Sequence, residues 1–597
     1  ILAPDPVLIA PGQILVGAQV ERQLSEAASD MGLATSLART LRNEGIEGLE
    51  RLPDEVATQV RARAETEAAA VATNAAQDTL RRLGVNGEIR VRPGGVVTVD
   101  LTSGVSPTGL RRNKQVAGEQ SEGVPPSIEW SPTDRCPRIV SQAQLENDIA
   151  LATRCAIQRL AQSGDFEYVE PNYIADSGFT RPPRRDQPPA TTRPPPTTTT
   201  TTAPPATTTP APIGGVPNDP LYALQWNYRA TSGANSSPGG AGFVTFWEAH
   251  QVGARTVRVA VLDTGLDLSH PDMHNARNVT TGVDLINNPE RGGDGDGVDA
   301  DANDAGDRCG ATENSYHGTH VAGTIGAAAT NDRVGVAGGA WDVTVIPVRV
   351  LGRCGGELAD IVSGIRWAAG VAPAVTATNQ PIVNQTQADI INMSLTIQAP
   401  CPASMQAAID AAVARNVIVV VAAGNKANRT ALYAPANCNN VIVVGAGDAR
   451  GDLAFYSNFG PEVDIIAPGG DVFADSDNDG RPDGVLSTRA TQSGCYDPLN
   501  SNSTERCYYS FLQGTSMAAP HVSAALALLA SQSGLRGRDL ENALFTRAIS
   551  PFAPNFGEIE CARSANATPI SAGSATCARP SGRGRLDLAL AARALTP

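Results

Sequence analysis

Apolar positions along this chain fall into two regimes, separated by a stretch that has almost none. From Val257 onward, short unbroken apolar runs alternate with longer segments of helical period. Val257–Leu262, Val343–Val350, Ile390–Leu395, Val417–Ala423 and Val441–Ala446 read as strands. His317 to about Ala329, Glu357–Ala369, Ala403–Arg415 and Thr515–Gln532 read as helices. Strands that are apolar at every position are buried on both faces. Their alternation with helices predicts an α/β fold, a mostly parallel sheet with helices on both faces.

Nearer the N-terminus the pattern is shorter and mixed. Gln13–Val20 and Glu88–Leu101 read as strands, and Glu21–Leu83, rich in Ala, Leu, Glu and Arg, as helix-forming sequence. Leu145–Ser163 reads as a further helix and Phe166–Tyr173 as a last strand, stopped by Pro171. This predicts a small α+β unit carrying a helical insertion. Between the two regimes, Pro182–Pro212 is dominated by Thr and Pro. Such a segment cannot bury enough surface to fold, and its prolines favour extended polyproline II, so it reads as a spacer. The chain divides into residues 1–181, a linker over 182–212, and residues 213–597. A chain of 597 residues exceeds what one core sustains, which agrees with that division.

Charge and cysteine usage narrow the function. A formal net charge of −15 repels phosphate backbones, so nucleic acid is not an expected partner. No run approaches the roughly 18 apolar residues of a membrane span. The ten cysteines include no C-x-x-C pair, and an even number at wide spacing fits disulfides in an oxidising, extracellular compartment. Sequential pairing keeps each bond within one segment: Cys136–Cys155, Cys309–Cys354, Cys401–Cys438, Cys495–Cys507 and Cys561–Cys577.

Three short segments carry chemistry. In Val261-Leu262-Asp263-Thr264-Gly265 an apolar strand ends in an acid and a turn, where ligands bind in open α/β sheets. In His317-Gly318-Thr319-His320-Val321-Ala322-Gly323 a histidine opens a helix of small residues. In Gly514-Thr515-Ser516-Met517-Ala518-Ala519-Pro520 a serine starts an apolar helix, where free N–H groups and the helix dipole favour a developing oxyanion. Singly, each has a plain reading: a strand-end acid, a histidine in a helix, a helix cap. The pair His317 and His320 has metal-ligand spacing but no third ligand nearby.

Together, in the order Asp, His, Ser, the motifs VLDTG, HGTHVAG and GTSMAAPHV resemble those of subtilisin-like serine endopeptidases, over roughly residues 215–597. The resemblance implies Ser516 as nucleophile, His317 as general base and then acid, and Asp263 as the group orienting the imidazole, with an acyl-enzyme intermediate and no catalytic cofactor. Asn425, after Ala422-Ala423-Gly424, matches the oxyanion-hole amide. Gly355 and Gly356, and Ser394, Leu395 and Thr396 with Gly424, match the segments that hold an extended peptide. Thr396 stands where glycine is usual and Tyr433 where a small residue is common, which argues for a narrowed primary pocket and a small or medium apolar P1 residue. The segment Phe166–Tyr173 resembles the last strand of an inhibitory prodomain. It implies a zymogen that cleaves itself between about Ala175 and Pro217.

Two acidic stretches, 294–307 and 475–483, suggest structural calcium. Asp475, Asp477 and Asp479 alternate ahead of Gly480, as at the start of a calcium loop, with Asp483 following. Asp464 matches a family cation position, with the carbonyls of Asn439 and Val441 as partners. The expected partners are protein or peptide substrates and the chain's own prodomain, and the expected state is a secreted monomer. A selective processing protease is an alternative. A silent peptide-binding scaffold requires a missing catalytic group, and none is missing.

Overall fold

The computed structural model describes residues 7–20, 54–83, 85–92, 96–101, 128–130, 135–137, 148–177, 215–491, 507–551 and 582–595, together with isolated positions at 23, 27, 31, 41, 140, 144 and 145 and without 234, 251, 274–276, 311 and 328. The linker, Cys495 of the expected pair Cys495–Cys507 and both members of Cys561–Cys577 lie outside the described residues, as does most of 21–53.

The N-terminal unit is built on β1 (Val7–Gly17), α1 (Asp54–Leu83), β2 (Glu88–Arg92), β3 (Val96–Asp100), β4 (Ile128–Trp130), α2 (Ile149–Ser163) and β5 (Val169–Ala175). Its strands are antiparallel in the order β2-β3-β1-β5, with β4 on the far end of β1. Ile14, Val16, Val97 and Val99 alternate onto one face and meet Ala72, Ala76 and Leu80 of α1 and Ala156 and Leu160 of α2. Pro171 does not stop the last strand, as the sequence suggested. It pairs with Ile14 beside a register shift in β1, a bulge where a missing N–H is tolerated, and β5 runs on to Ala175.

The C-terminal unit contains α3 (Phe243–Ala249), β6 (Arg258–Asp263), β7 (Val283–Asp284), α4 (His317–Ala322), β8 (Thr344–Arg349), β9 (Gly356–Glu357), α5 (Leu358–Ala368), β10 (Ile390–Met393), α6 (Ala403–Val413), β11 (Ile418–Ala422), β12 (Ile442–Gly447), β13 (Ile465–Pro468), β14 (Val485–Thr491), β15 (Cys507–Leu512), α7 (Thr515–Ser533), α8 (Gly537–Arg547), β16 (Ile549–Ser550), β17 (Arg585–Leu586) and α9 (Leu588–Leu595). Nine strands form one sheet in the order β16-β17-β13-β12-β11-β10-β6-β8-β7, all parallel except β16 on β17.

Each central strand feeds two cores. Val259 and Val261 of β6, with Ile390 and Val420, face α7; Ala260 and Leu262, with Ile391 and Met393, face α5 and α6. This two-sided burial is why the strands read as unbroken apolar runs. The helix expected from His317 to about Ala329 ends as an α-helix at Ala322. A wider turn follows to Ala327, and Gly326 adopts φ 155° where a Cβ would strike the carbonyl of Ala340.

Three disulfides join Cys136 to Cys155, Cys309 to Cys354 and Cys401 to Cys438. The N-terminal unit meets the C-terminal unit along β5, which pairs antiparallel with β9. Beside it, the Glu170 carboxylate accepts the amides of Ala403 and Ser404 at the start of α6 (2.9 and 3.2 Å). Asn172 Oδ1 accepts the amide of Ala359 in the first turn of α5 (3.0 Å), and Arg92 pairs with the buried Asp360 (2.7 Å). Glu170 and Asn172 thus give two helix N-termini acceptors for amides that have no partner within the helix, and Arg92 gives the buried Asp360 a cation.

Candidate active site

Asp263 is the last residue of β6, at the carboxyl end of a central strand. It is fully buried, its carbonyl accepts the amides of Val350 and Leu351 (2.9 and 3.1 Å), and its Oδ1 accepts the amide of Thr264 (2.8 Å). His317 opens α4, and its Nδ1 lies 2.8 and 3.0 Å from the two oxygens of Asp263. Burial alone would depress the His317 imidazolium, but the carboxylates of Asp263, Asp307 and Asp176 outweigh it and hold the ring above the ordinary histidine range. The other nitrogen, Nε2, is buried and has no hydrogen-bond partner among the described residues.

Ser516 stands in the first turn of α7, 3 % exposed. Four residues on, Pro520 has no N–H to give to the Ser516 carbonyl. That carbonyl accepts the Ser394 hydroxyl instead (2.9 Å), which ties the turn after β10 to the helix. The Ser516 hydroxyl donates to the carbonyl of Ser177 (2.9 Å). Asn425 follows β11, and its Oδ1 accepts both the amide and the hydroxyl of Thr515 (2.8 and 2.9 Å). With the oxygen so engaged, the amide's N–H groups point away from Thr515. Gly514 sits at φ 152°, and a Cβ there would come within 3.2 Å of that amide nitrogen.

The chain's own residues 174–177 lie between the segment at Gly355–Glu357 and the segment at Ser394–Thr396. Ile174 pairs with Glu357 and Ala175 with Gly356, and Asp176 exchanges both backbone bonds with Thr396 (2.9 and 2.8 Å). Gly355 adopts φ 96°, and a Cβ there would strike the carbonyl of Ala175 at 2.2 Å. Leu395 is buried, and the Thr396 methyl faces Gly424, 3.5 Å from where a Cβ on that glycine would lie. Tyr433 is buried in the segment that pairs with Ile397 through Ala434.

His320 and His521 make their hydrogen bonds elsewhere. His320 Nε2 lies 3.1 Å from the carbonyls of Val485 and Ser510, and burial lowers its pKa to about 3. His521 is lowered to about 4 by burial and joins Met517 to Asn227.

Asp475, Asp477 and Asp479 bring one carboxylate oxygen each within 4.8 Å of one another on an exposed loop. Asp483 stands apart from that trio and accepts the amide of Ser476 (2.8 Å). Asp464 turns its Oδ2 to the amide of Val443 (2.9 Å), and the Asn439 carbonyl accepts Gln406. A second acidic group was not singled out from the sequence, because its members lie far apart there. Burial raises Asp272 to about 8 and Asp219 to about 6, and Asp332 and Asp219 add to the shift on Asp272. Asp219 accepts the amides of Asn331 and Asp332, and the Asp272 carboxylate accepts the Val336 amide (3.0 Å) and the Tyr509 hydroxyl, while its buried Oδ1 has no partner among the described residues.

The parallel sheet is covered on both faces, Asp263 and His317 form a buried pair at the carboxyl end of β6, and Ser516 stands in the first turn of α7, the frame of an α/β fold with its polar groups gathered at the strand ends. The profile of the subtilase family, Peptidase S8, matches residues 254–579, more than half of the chain. The chain belongs to the subtilase family. It is 40% identical over 328 residues to an extracellular protease of Xanthomonas campestris pv. campestris, covering 53% of this chain and 50% of that one. It is 36% identical over 338 residues to an extracellular basic protease of Dichelobacter nodosus, covering 54% and 50%. The chain thus spans about half the length of these relatives. Among solved structures, a protease from Pseudoalteromonas arctica is 37% identical with a TM-score of 0.51, covering 64% of this chain and 100% of that one.

Proposed function

We propose that this chain is the zymogen of a secreted serine endopeptidase that hydrolyses peptide bonds through Asp263, His317 and Ser516 and matures by cutting itself. One observation carries the reading. The chain's own strand lies in the cleft as an added β-strand, and the Ser177 carbonyl meets the Ser516 hydroxyl at 2.9 Å. In the reaction, Ser516 Oγ attacks the scissile carbonyl carbon while His317 Nε2 takes its proton. The carbonyl π bond becomes an oxyanion, for which the Asn425 amide and the Ser516 N–H are the donors. Collapse expels the amine, which takes the proton from His317 and leaves an acyl-Ser516 ester. Water then hydrolyses the ester by the same route.

The extracellular names of the relatives and the disulfides support secretion. The N-terminal unit acts as inhibitory prodomain, and the strand reaches Ser516 at Ser177, so self-cleavage falls at the Ser177–Gly178 bond or the next. Wild-type protein should release an N-terminal fragment whose mass ends at Ser177 or Gly178. Ser516→Ala should remain full length when pure, and a fragment released by that variant would show that Ser516 does not perform the cut.

Structural calcium fits this chain at the acidic group made by the buried Asp219 and Asp272 and the exposed Asp332 beside them. An orphaned carboxylate oxygen and mutually repelling acids there match the oxygen-rich demand of that ion, which would stabilise the fold and take no part in the chemistry. The exposed trio Asp475, Asp477 and Asp479 is the alternative holder.

A further inference from the structure

The acidic stretch 294–307 reads in sequence as a solvated or cation-binding loop, yet its later carboxylates turn inward. Asp304 is buried, and its Oδ2 accepts the Thr264 hydroxyl at 2.6 Å. The same hydroxyl accepts the amide of Gly318, next to His317, at 2.9 Å. The Thr264 amide in turn holds Asp263 Oδ1. Thr264 therefore grips the catalytic acid through its N–H and the catalytic helix through its hydroxyl, and Asp304 fixes the orientation of that hydroxyl.

Asp307 does the equivalent for the base. It accepts both the amide (2.6 Å) and the hydroxyl of Ser315, and the Ser315 hydroxyl accepts the amide of His317 at 3.2 Å. The loop is itself anchored. The Leu266 amide donates to the Ala302 carbonyl and the Leu266 carbonyl accepts the Asp304 amide (3.0 and 2.9 Å). The fully buried Arg349 pairs with Asp284 and Asp294 while its Nε donates to the Thr264 carbonyl at 3.2 Å. The Cys309–Cys354 disulfide ties the end of the loop to the segment before Gly355.

On the reading of this site as an endopeptidase centre, we infer that Asp304 and Asp307 are positioning residues. They act through the hydroxyls of Thr264 and Ser315 to hold Asp263 and His317 in register for proton transfer. Neither touches substrate. Asp307 adds a second, electrostatic effect, because its negative charge favours the protonated imidazole. The other groups facing that ring are Asp263, which also favours the cation; His320 on the same helix, which burial keeps neutral; Arg489, which donates to the Ser315 carbonyl; and Asp176, which departs with the N-terminal unit.

The two effects give separable readouts in the mature enzyme. Thr264→Val cuts the link to Asp304 and should lower kcat by about 10- to 100-fold with KM nearly unchanged, and Thr264→Ser should restore it. Asp307→Asn keeps an acceptor for Ser315 but removes the charge. The His317 pKa falls, the neutral base persists to lower pH, and the acidic limb of kcat/KM moves to lower pH. A merely structural loop would leave that limb in place. Should Thr264→Val fail to fold, Thr264→Ser and Asp307→Asn still decide the matter. Wild-type kcat in Thr264→Val, or an unmoved acidic limb in Asp307→Asn, overturns the inference. A wild-type protein that neither turns over peptide nor takes a fluorophosphonate label on Ser516 overturns instead the endopeptidase reading beneath it.

Discussion

Thr396 concentrates what is particular to this chain in one side chain. Its backbone offers a substrate the same two hydrogen bonds any residue there would give, as it does to Asp176. Its methyl, however, lies 3.5 Å from where a Cβ on Gly424 would stand. The residue of the chain's own strand that meets the Ser516 hydroxyl is small, Ser177, as a narrowed pocket would require. Filling or freeing the volume of about one methylene shifts transition-state binding by about 1–3 kcal/mol. Thr396→Gly should therefore raise kcat/KM for phenylalanine at P1 relative to alanine by about 10- to 200-fold, read with a peptide series varied only at P1. An unchanged ratio would mean that some other residue, such as the buried Tyr433, sets the width.

At the level of elements, α7 shows how an apparent flaw in a helix can serve the site. Pro520 removes the amide that would bond the Ser516 carbonyl, and Ser394 supplies the missing donor from another segment. Ser394→Ala then leaves a buried carbonyl unpaired, at a cost of about 1–3 kcal/mol. Pro520→Ala returns an N–H to the helix, so in that background the loss from Ser394→Ala should shrink by about 1 kcal/mol. Denaturant unfolding of the four proteins, each carrying Ser516→Ala to prevent self-digestion, measures the cycle. Strict additivity would show that the two donors do not compete for one carbonyl.

The sequence carried the strands, the helices and the catalytic motifs because each is written in contiguous residues. Apolar runs report burial on two faces, and VLDTG and GTSMAAP each span the junction of an element and its turn, while HGTHVAG is one short helix. It misjudged Pro171, since tolerance of a missing N–H depends on a bulge in β1, far away in the chain. It overextended the helix at His317, since the break at Gly326 depends on contact with Ala340. The inward role of Asp304 was hidden for a similar reason, because an acidic loop looks the same in sequence whether its partners are water or Thr264.

Across the whole molecule, the same limit explains the acidic group around Asp272. Asp219 follows the linker, Asp272 lies in the loop beyond β6, and Asp332 lies in the loop beyond α4, so only the folded chain brings them together. Burial makes the charged form of Asp272 costly, and the other two acids add to that cost. A divalent cation held there would reverse the balance: it would let all three ionise, staple three separate segments and bind the folded state alone. At a hundredfold excess over its Kd, calcium should then stabilise the mature protein by about 2.7 kcal/mol. Chelation at constant ionic strength should lower Tm, and added calcium should restore it. Asp272→Asn should abolish most of that dependence, whereas Asp477→Asn on the exposed loop should leave it intact. If the two variants exchange behaviour, the cation sits on the exposed trio. If the wild-type Tm ignores both chelator and calcium, the buried acids are held by protonation alone, and their repulsion is a cost the fold carries without a metal.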